Sequence, residues 1–350
     1  MTTGTNDLST LLKANNVSAA VYGLDNIIPV LNRELAAHNA MVTQMLGDLA
    51  VFTTDRQRKY GTSIYGDMYE VDEYGRAPTQ LQKPGATVGF PLKLFQYAIG
   101  WTNKWFETKS PADVAITVQA AERAHLRMYS REIKRAFMLS GNYTWTDFLE
   151  DGIALSVKRL VNADGQPIPE GPNGEIFDGA THTHYIGETS LTAAFLTSLI
   201  NDVVEHGQGN AVQTAINKAQ ETAVRGLAGF TAYSDPRITY RNTDTPTQTI
   251  DLSKIDNRAI GIFGGSEIWV KPWMPASYLF TWDTGSPPPL VIRQRTATSM
   301  QGLRIVADND AFPLHARYLE AEFGIAVYNR TNGAVLNIVQ DIYPDPVINS

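Results

Sequence analysis

Two histidines, His182 and His184, stand one residue apart in "THTHYIGE", and the pair Glu205-His206 closes the apolar run that follows. Imidazole nitrogens and carboxylates are the ligands that hold zinc and related first-row metals, so these four residues are the first place to look for chemistry. Histidines at i and i+2 share a face only where the chain is extended, and no H-E-x-x-H pattern accompanies them. They read as polar loop residues that hydrogen-bond locally. His125 falls on the apolar face of a long helical pattern and reads as a satisfied core or interface histidine. "GIFGGSE" is glycine-rich after a strand, but it lacks the spacing of a phosphate cradle and a following helix, so a tight turn is expected. Trp101, Trp105 and Phe106 have the surface to stack a ligand; between loop and helix they read as the anchor of a hinge. The sequence assigns no catalytic, cofactor-binding or metal residues, and no cofactor.

Composition narrows the classes. The chain has 350 residues, 43% hydrophobic and 19% charged, enough for one large body or two compact ones. A net charge of −7 gives no basic footprint for tight nucleic-acid binding. The absence of cysteine removes disulfides, thiolate nucleophiles and cysteine metal sites. The polar start "MTTGTNDLSTLLKANN" lacks a basic and an apolar region, so it is not a secretory signal. No apolar run approaches the roughly 20 residues of a membrane span.

The elements that must position these residues have a definite order. Pro29 interrupts "LDNIIPVLNRELAAHNAMVTQML", so an extended arm leading to a short helix from about Val30 is expected. From Phe52 to Thr102 the strand-like stretches "SIYGDMYEVDEYG" and "TVGFPLKLFQYAIGWT" flank "GRAPTQLQKPGA", the composition of a mobile tip. An isolated two-stranded hairpin is marginal in water, so this one must rest on something else. "SPADVAITVQAAERAHLRMYSREIKRAFM" is one long helix. Ser110 is its N-cap, Pro111 its first residue and Asp113 the partner in a capping box. Its stripe runs through Val114, Val118, Ala121, His125, Met128, Glu132 and Ala136, with Ile133 and Phe137 beside it. A second short helix is expected in "TDFLEDGIALSVKRLV". A polar loop follows, then helices in "SLTAAFLTSLINDVVEHG" and "NAVQTAINKAQETAVRGLAGF", then short strands. "YLEAEFGIAVYNRTNGAVLNIVQDIY" reads as a hairpin turning at Asn332-Gly333, a favoured type I′ pair.

This order resembles the Hong Kong 97 family of tailed-phage major capsid proteins. Three stretches carry the likeness in detail: "THTHYIGETSLTAAFLTSLINDVVEHG", "SEIWVKPWMPASYLFTWDTGSPPPLVIRQR" and "ARYLEAEFGIAVYNRTNGAVLNI". The resemblance implies an α+β fold with an N-terminal arm and short helix (1–50), an extended β-hairpin loop (51–102) and a peripheral domain (103–185) with its spine helix at 111–139. An axial domain (186–310) and return strands to the peripheral domain (311–350) complete it. The implied function is non-enzymatic: a shell subunit that self-assembles, as hexamers and pentamers, into an icosahedral capsid around double-stranded DNA. It would lie in the virion, assembled in host cytoplasm. The implied partners are a scaffolding protein, a portal, the cement protein that some relatives use, and DNA contacted non-specifically, with no membrane. The scaffold is expected as a separate chain, because only about fifty residues precede the loop.

Some family members join subunits by an isopeptide bond from a loop lysine to an asparagine, assisted by a buried glutamate. Lys59, Lys83, Asn329 and Asn332 lie in the corresponding regions, but none aligns with a cross-linking motif. An encapsulin-type compartment is the second reading, and a metal-dependent enzyme built on the histidines the third.

Overall fold

A computed structural model describes residues 8–47, 49–61, 68–80, 85–233, 239–242, 245–249, 257–309 and 314–348. Its longest element is the spine helix Pro111–Met138, 28 residues and on the order of 40 Å long. Both arms of the capping box form, with Ser110 N–H donating to Asp113 Oδ2 at 3.0 Å. The buried face runs Val114, Ala115, Val118, Ala121, His125, Tyr129, Ile133, Ala136 and Phe137. Tyr129 takes the place expected for Met128, which is only half-buried. A straight helix steps by four here, and the tyrosine ring fills space that methionine at the neighbouring angle does not face.

Across that face lies Leu314–Val327, a strand of 14 residues. One of its edges pairs with Lys93–Thr102, and the other pairs with Arg304–Asn309 and Leu290–Gln294. Ala50–Thr53 adds in parallel beyond Leu290–Gln294, giving five strands. Residues 290–309 therefore belong to the sheet beside the spine helix. A second sheet of seven strands runs Tyr185–Gly187, Ala334–Asn337, Tyr278–Asp283, Val212–Ile216, Ser266–Val270, Arg258–Phe263 and Thr231–Ala232. Helix Ala193–Val204 covers it, burying Leu196, Leu199, Ile200 and Val203. The architecture is α+β.

Four local expectations are corrected. Helix Leu24–Met45 runs straight through Pro29. The proline sits in its second turn, so one hydrogen bond to Asp25 is lost, while burial of Ile27, Val30, Leu31, Leu35 and Val42 holds the helix. Met41 and Met45 point to solvent on its other side. "TDFLEDGIALSV" is no helix but part of a hairpin, Tyr143–Thr146 against Ala154–Val157. Gly152, at φ 75°, makes its turn, and Leu155 and Val157 alternate inward. "VQTAI" of the expected third helical segment is a strand inside the seven-stranded sheet, leaving only Glu221–Arg225 as α-helix there.

Finally, Leu314–Val327 and Ala334–Asn337 do not pair: they belong to different sheets. Neither Asn332 nor Gly333 has the positive φ that a type I′ turn requires. Gly333 is needed for room, since a Cβ there would meet Leu160 and Phe280 at 3.1 Å.

Candidate functional site

The arm starts from a short ladder. Gln57–Tyr60 pairs antiparallel with Ala86–Gly89. Its root is packed: Tyr60, Val88 and Phe90 join Val157, Val291 and Ala326 in a small core. Beyond the root this support ends. Every residue from 68 to 80 is exposed, including Met68, Tyr69, Val71 and Tyr74. Apolar side chains held in water on a segment with no core point to burial against something outside the chain.

The residues considered for cross-linking fall apart. Lys59 is exposed in the ladder, and Lys83 lies outside the described residues. Asn332 is buried. Its amide donates to the carbonyls of Asp283 and Pro287 and its oxygen accepts from Asp283 N–H, so it is a structural brace. Asn329 donates to Gln208 and to the Pro287 carbonyl.

The other sequence candidates are structural. Gly264 and Gly265, at φ 55° and 85°, turn the hairpin between Arg258–Phe263 and Ser266–Val270. Trp101 and Phe106 are buried beside Trp105 in the main core, with ring centroids 5.4–5.6 Å apart. His125 is buried, 3.0 Å from His38 across the contact between the spine helix and helix Leu24–Met45. Burial, and then the neighbouring His38, push its pKa down to about 3.

The histidines of "THTH" are another matter: they lie in the loop expected for them, but their contacts reach far beyond it, to His206 and Gly333. His184 N–H donates to the Val161 carbonyl and Ala163 N–H to the His182 carbonyl, so residues 182–184 are extended. Extension puts both imidazoles on one side. Helix Ala193–Val204 ends beneath them, and Gly207, at φ 79°, reverses the chain just after Glu205-His206. The Nε2 atoms of His182, His184 and His206 form a triangle with edges of 3.2, 3.1 and 3.1 Å. Glu205 Oε1 lies 3.2 Å from His182 Nε2 and 3.7 Å from His206 Nε2. His184 is fully buried, and Phe177 covers His206 and His182 with ring centroids at 4.1 and 5.1 Å.

Burial lowers the pKa of all three histidines, to about 3 for His206 and well below the usual range for His184. Sequence spacing could supply the His182-His184 half of this arrangement once an extended segment was granted. Nothing local could announce His206.

No protein-family model and no curated protein matches this sequence. A solved structure titled "Mycobacterium phage Patience" does match in fold, with a TM-score of 0.68 at 20% identity, over 91% of this chain and 89% of that one. Two fainter likenesses are a "Cyanophage A-1(L) capsid asymmetric unit" (TM-score 0.49, 15% identity, 86% and 93% covered) and the "Capsid of native GTA particle computed with C5 symmetry" (0.48, 13%, 85% and 90%). Below a TM-score of 0.5 these two carry no argument. The α+β fold of this chain is thus one found in a phage structure, along nearly its whole length. No helix among the described residues is long and apolar enough to cross a membrane.

Proposed function

We propose that this chain is a major capsid protein of the Hong Kong 97 type, whose copies assemble into the icosahedral shell of a tailed phage. The observation that carries the reading is the arm. Residues 68–80 hold exposed Met68, Tyr69, Val71 and Tyr74 on a fold shared with a phage structure. In a closed assembly such a segment lies across a neighbouring subunit, and its apolar side chains become interface.

On this reading residues 51–102 hold the intersubunit loop, 103–185 with the spine helix the peripheral body, and 186–310 the axial body except for the strands at 290–309, which lie in the sheet beside the spine helix; 311–350 return to the periphery, with Ala334–Asn337 reaching back into the seven-stranded sheet. The spine helix stiffens the subunit so that pull on the loop is transmitted without bending. The partners are further copies in hexamers and pentamers, a scaffolding protein, a portal and a cement protein. The role is structural and not enzymatic. The net charge of −7 suits an inner wall that meets DNA without gripping it, since a strongly basic wall would bind through counterion release and resist packing and ejection. Stability of the shell comes from large repeated interfaces.

The test is electron microscopy of particles from cells expressing the chain beside its neighbouring genes, with nuclease-protected contents analysed. Closed shells holding double-stranded DNA support the proposal. Shells holding only a protein cargo would move it to an encapsulin-type compartment, and a monodisperse monomer under all conditions would remove it.

A further inference from the structure

Each imidazole Nε2 atom carries either a proton or a bare lone pair, so among three of them at least two are alike. At least one edge of the His182–His184–His206 triangle therefore sets like against like at 3.1–3.2 Å. Hydrogen bonding within the cluster cannot satisfy it. One member is fixed: His184 Nδ1 lies 2.7 Å from the Gly333 carbonyl, which only accepts. Its proton is on Nδ1, and its Nε2 presents a bare lone pair to the other two rings. Two further atoms sharpen the conflict. His206 Nδ1 and Glu205 Oε1 are buried and have no hydrogen-bond partner.

We propose that His182, His184, His206 and Glu205 form a closed four-ligand site for a first-row divalent cation, with zinc the best fit. A cation that accepts all three Nε2 lone pairs turns the frustrated triangle into a ligand set. Tetrahedral zinc with nitrogen bonds of about 2.0–2.1 Å places its ligand nitrogens roughly 3.3 Å apart, close to the edges seen here. The four ligand atoms lie within 4.8 Å of one another. His184 is held in the tautomer and orientation that metal-bound histidines normally adopt, by a backbone carbonyl on the far ring nitrogen. Glu205 supplies one negative charge. The nearby buried Arg330 does not compete for it, because its guanidinium sits 3.1 Å from Asp164. Neutral imidazoles with a carboxylate suit zinc better than magnesium or calcium, which prefer oxygen.

With Glu205 in the fourth position the site is of the structural kind, without an open place for water or substrate. It would staple three separate segments: the extended 182–184 stretch, the end of helix Ala193–Val204, and through Gly333 the crossing between the two sheets. This proposal does not depend on the capsid reading.

The test uses the untagged full-length chain. Elemental analysis after growth in zinc-supplemented medium should find about one zinc per chain, and cobalt(II) exchanged into the site should give the intense visible bands of tetrahedral coordination. His182 is partly exposed, so His182→Gln should leave a folded chain. Glu205→Gln keeps the volume of the fourth ligand. Each variant should bind cobalt more weakly, and His182→Gln, which removes a ligand, by more than the roughly 10–100-fold that losing an outer-shell partner costs. Chelation should lower the melting temperature of the wild-type chain and leave that of His182→Gln unchanged. A folded wild-type chain that takes up neither zinc nor cobalt would overturn the proposal. So would tetrahedral cobalt bands of equal affinity in both variants.

Discussion

Tyr129 of the spine helix lies flat on Phe323 of the long strand, with ring centroids 3.9 Å apart and 5° between the planes. Eight residues further along the helix, Phe137 stacks on Phe280 at 4.1 Å and 16°. Phe323 belongs to the five-stranded sheet and Phe280 to the seven-stranded one. The same helix is therefore bolted to both sheets, and its rigidity fixes their relation.

Phe137 is completely buried, so Phe137→Ala should cost about 3–5 kcal/mol, a large part of a typical domain's margin. Arg127 is exposed on the opposite face, and Arg127→Ala should change stability by less than about 0.5 kcal/mol. Chemical denaturation of the two variants separates these outcomes. Equal midpoints would mean that the helix is not the element joining the sheets.

Asp147 is fully buried and makes contacts of 2.9 Å to Arg293 and 3.1 Å to Arg56. Arg293 is itself 4% exposed. Removing one member of a buried pair strands the other, so Asp147→Ala should cost about 3–5 kcal/mol. Lys104→Ala, which breaks the exposed Lys104–Glu107 pair, should leave the melting temperature essentially unchanged. Thermal unfolding of both is the measurement. A small effect at Asp147 would show that water reaches this pair.

His125 supplies a pH dependence with a definite sign. Its pKa falls from 6.5 to about 3 on folding, through burial and His38, so the unfolded chain binds the extra proton. Its contribution is fully present above pH 6.5 and is lost as pH falls from there toward 3. At pH 5 the loss should be about 2 kcal/mol. His125→Gln should therefore flatten the stability curve between pH 7 and 5 relative to wild type. Parallel curves would place the titration elsewhere. The histidines of the 182–206 cluster, remote from this contact, are common to both chains and cancel in the comparison.

What could be read in advance follows from the range of the interactions involved. The capping box at Ser110 and Asp113 is local, and the spine helix was legible to within a residue at each end. The order of arm, loop, helix and strands was enough to expect an α+β capsid-like fold, which is the fold of a phage structure. The misses are places where tertiary structure overrides local preference. Asn332-Gly333 has turn chemistry, yet Asn332 is recruited to brace Asp283 and Pro287 across the join of two sheets. Pro29 is tolerated because burial on either side of it outweighs one lost hydrogen bond. The histidine cluster was half legible: the i, i+2 pair needed only an extended backbone, but His206 arrives through the end of a separate helix. No spacing rule connects those segments. Only sheet pairing does.

The exposed arm carries the account's central claim, and deleting it is the most direct test. Residues 68–80 have no buried side chain among them, so a variant in which a short Gly-Ser link replaces them should keep the wild-type melting temperature to within a few degrees. Its assembly should nevertheless fail. Sedimentation and negative-stain microscopy of both chains, expressed in the same way, measure this. The account predicts closed shells from the wild type and only soluble monomers or small oligomers from the variant. Shells of normal size and yield from the variant would contradict it.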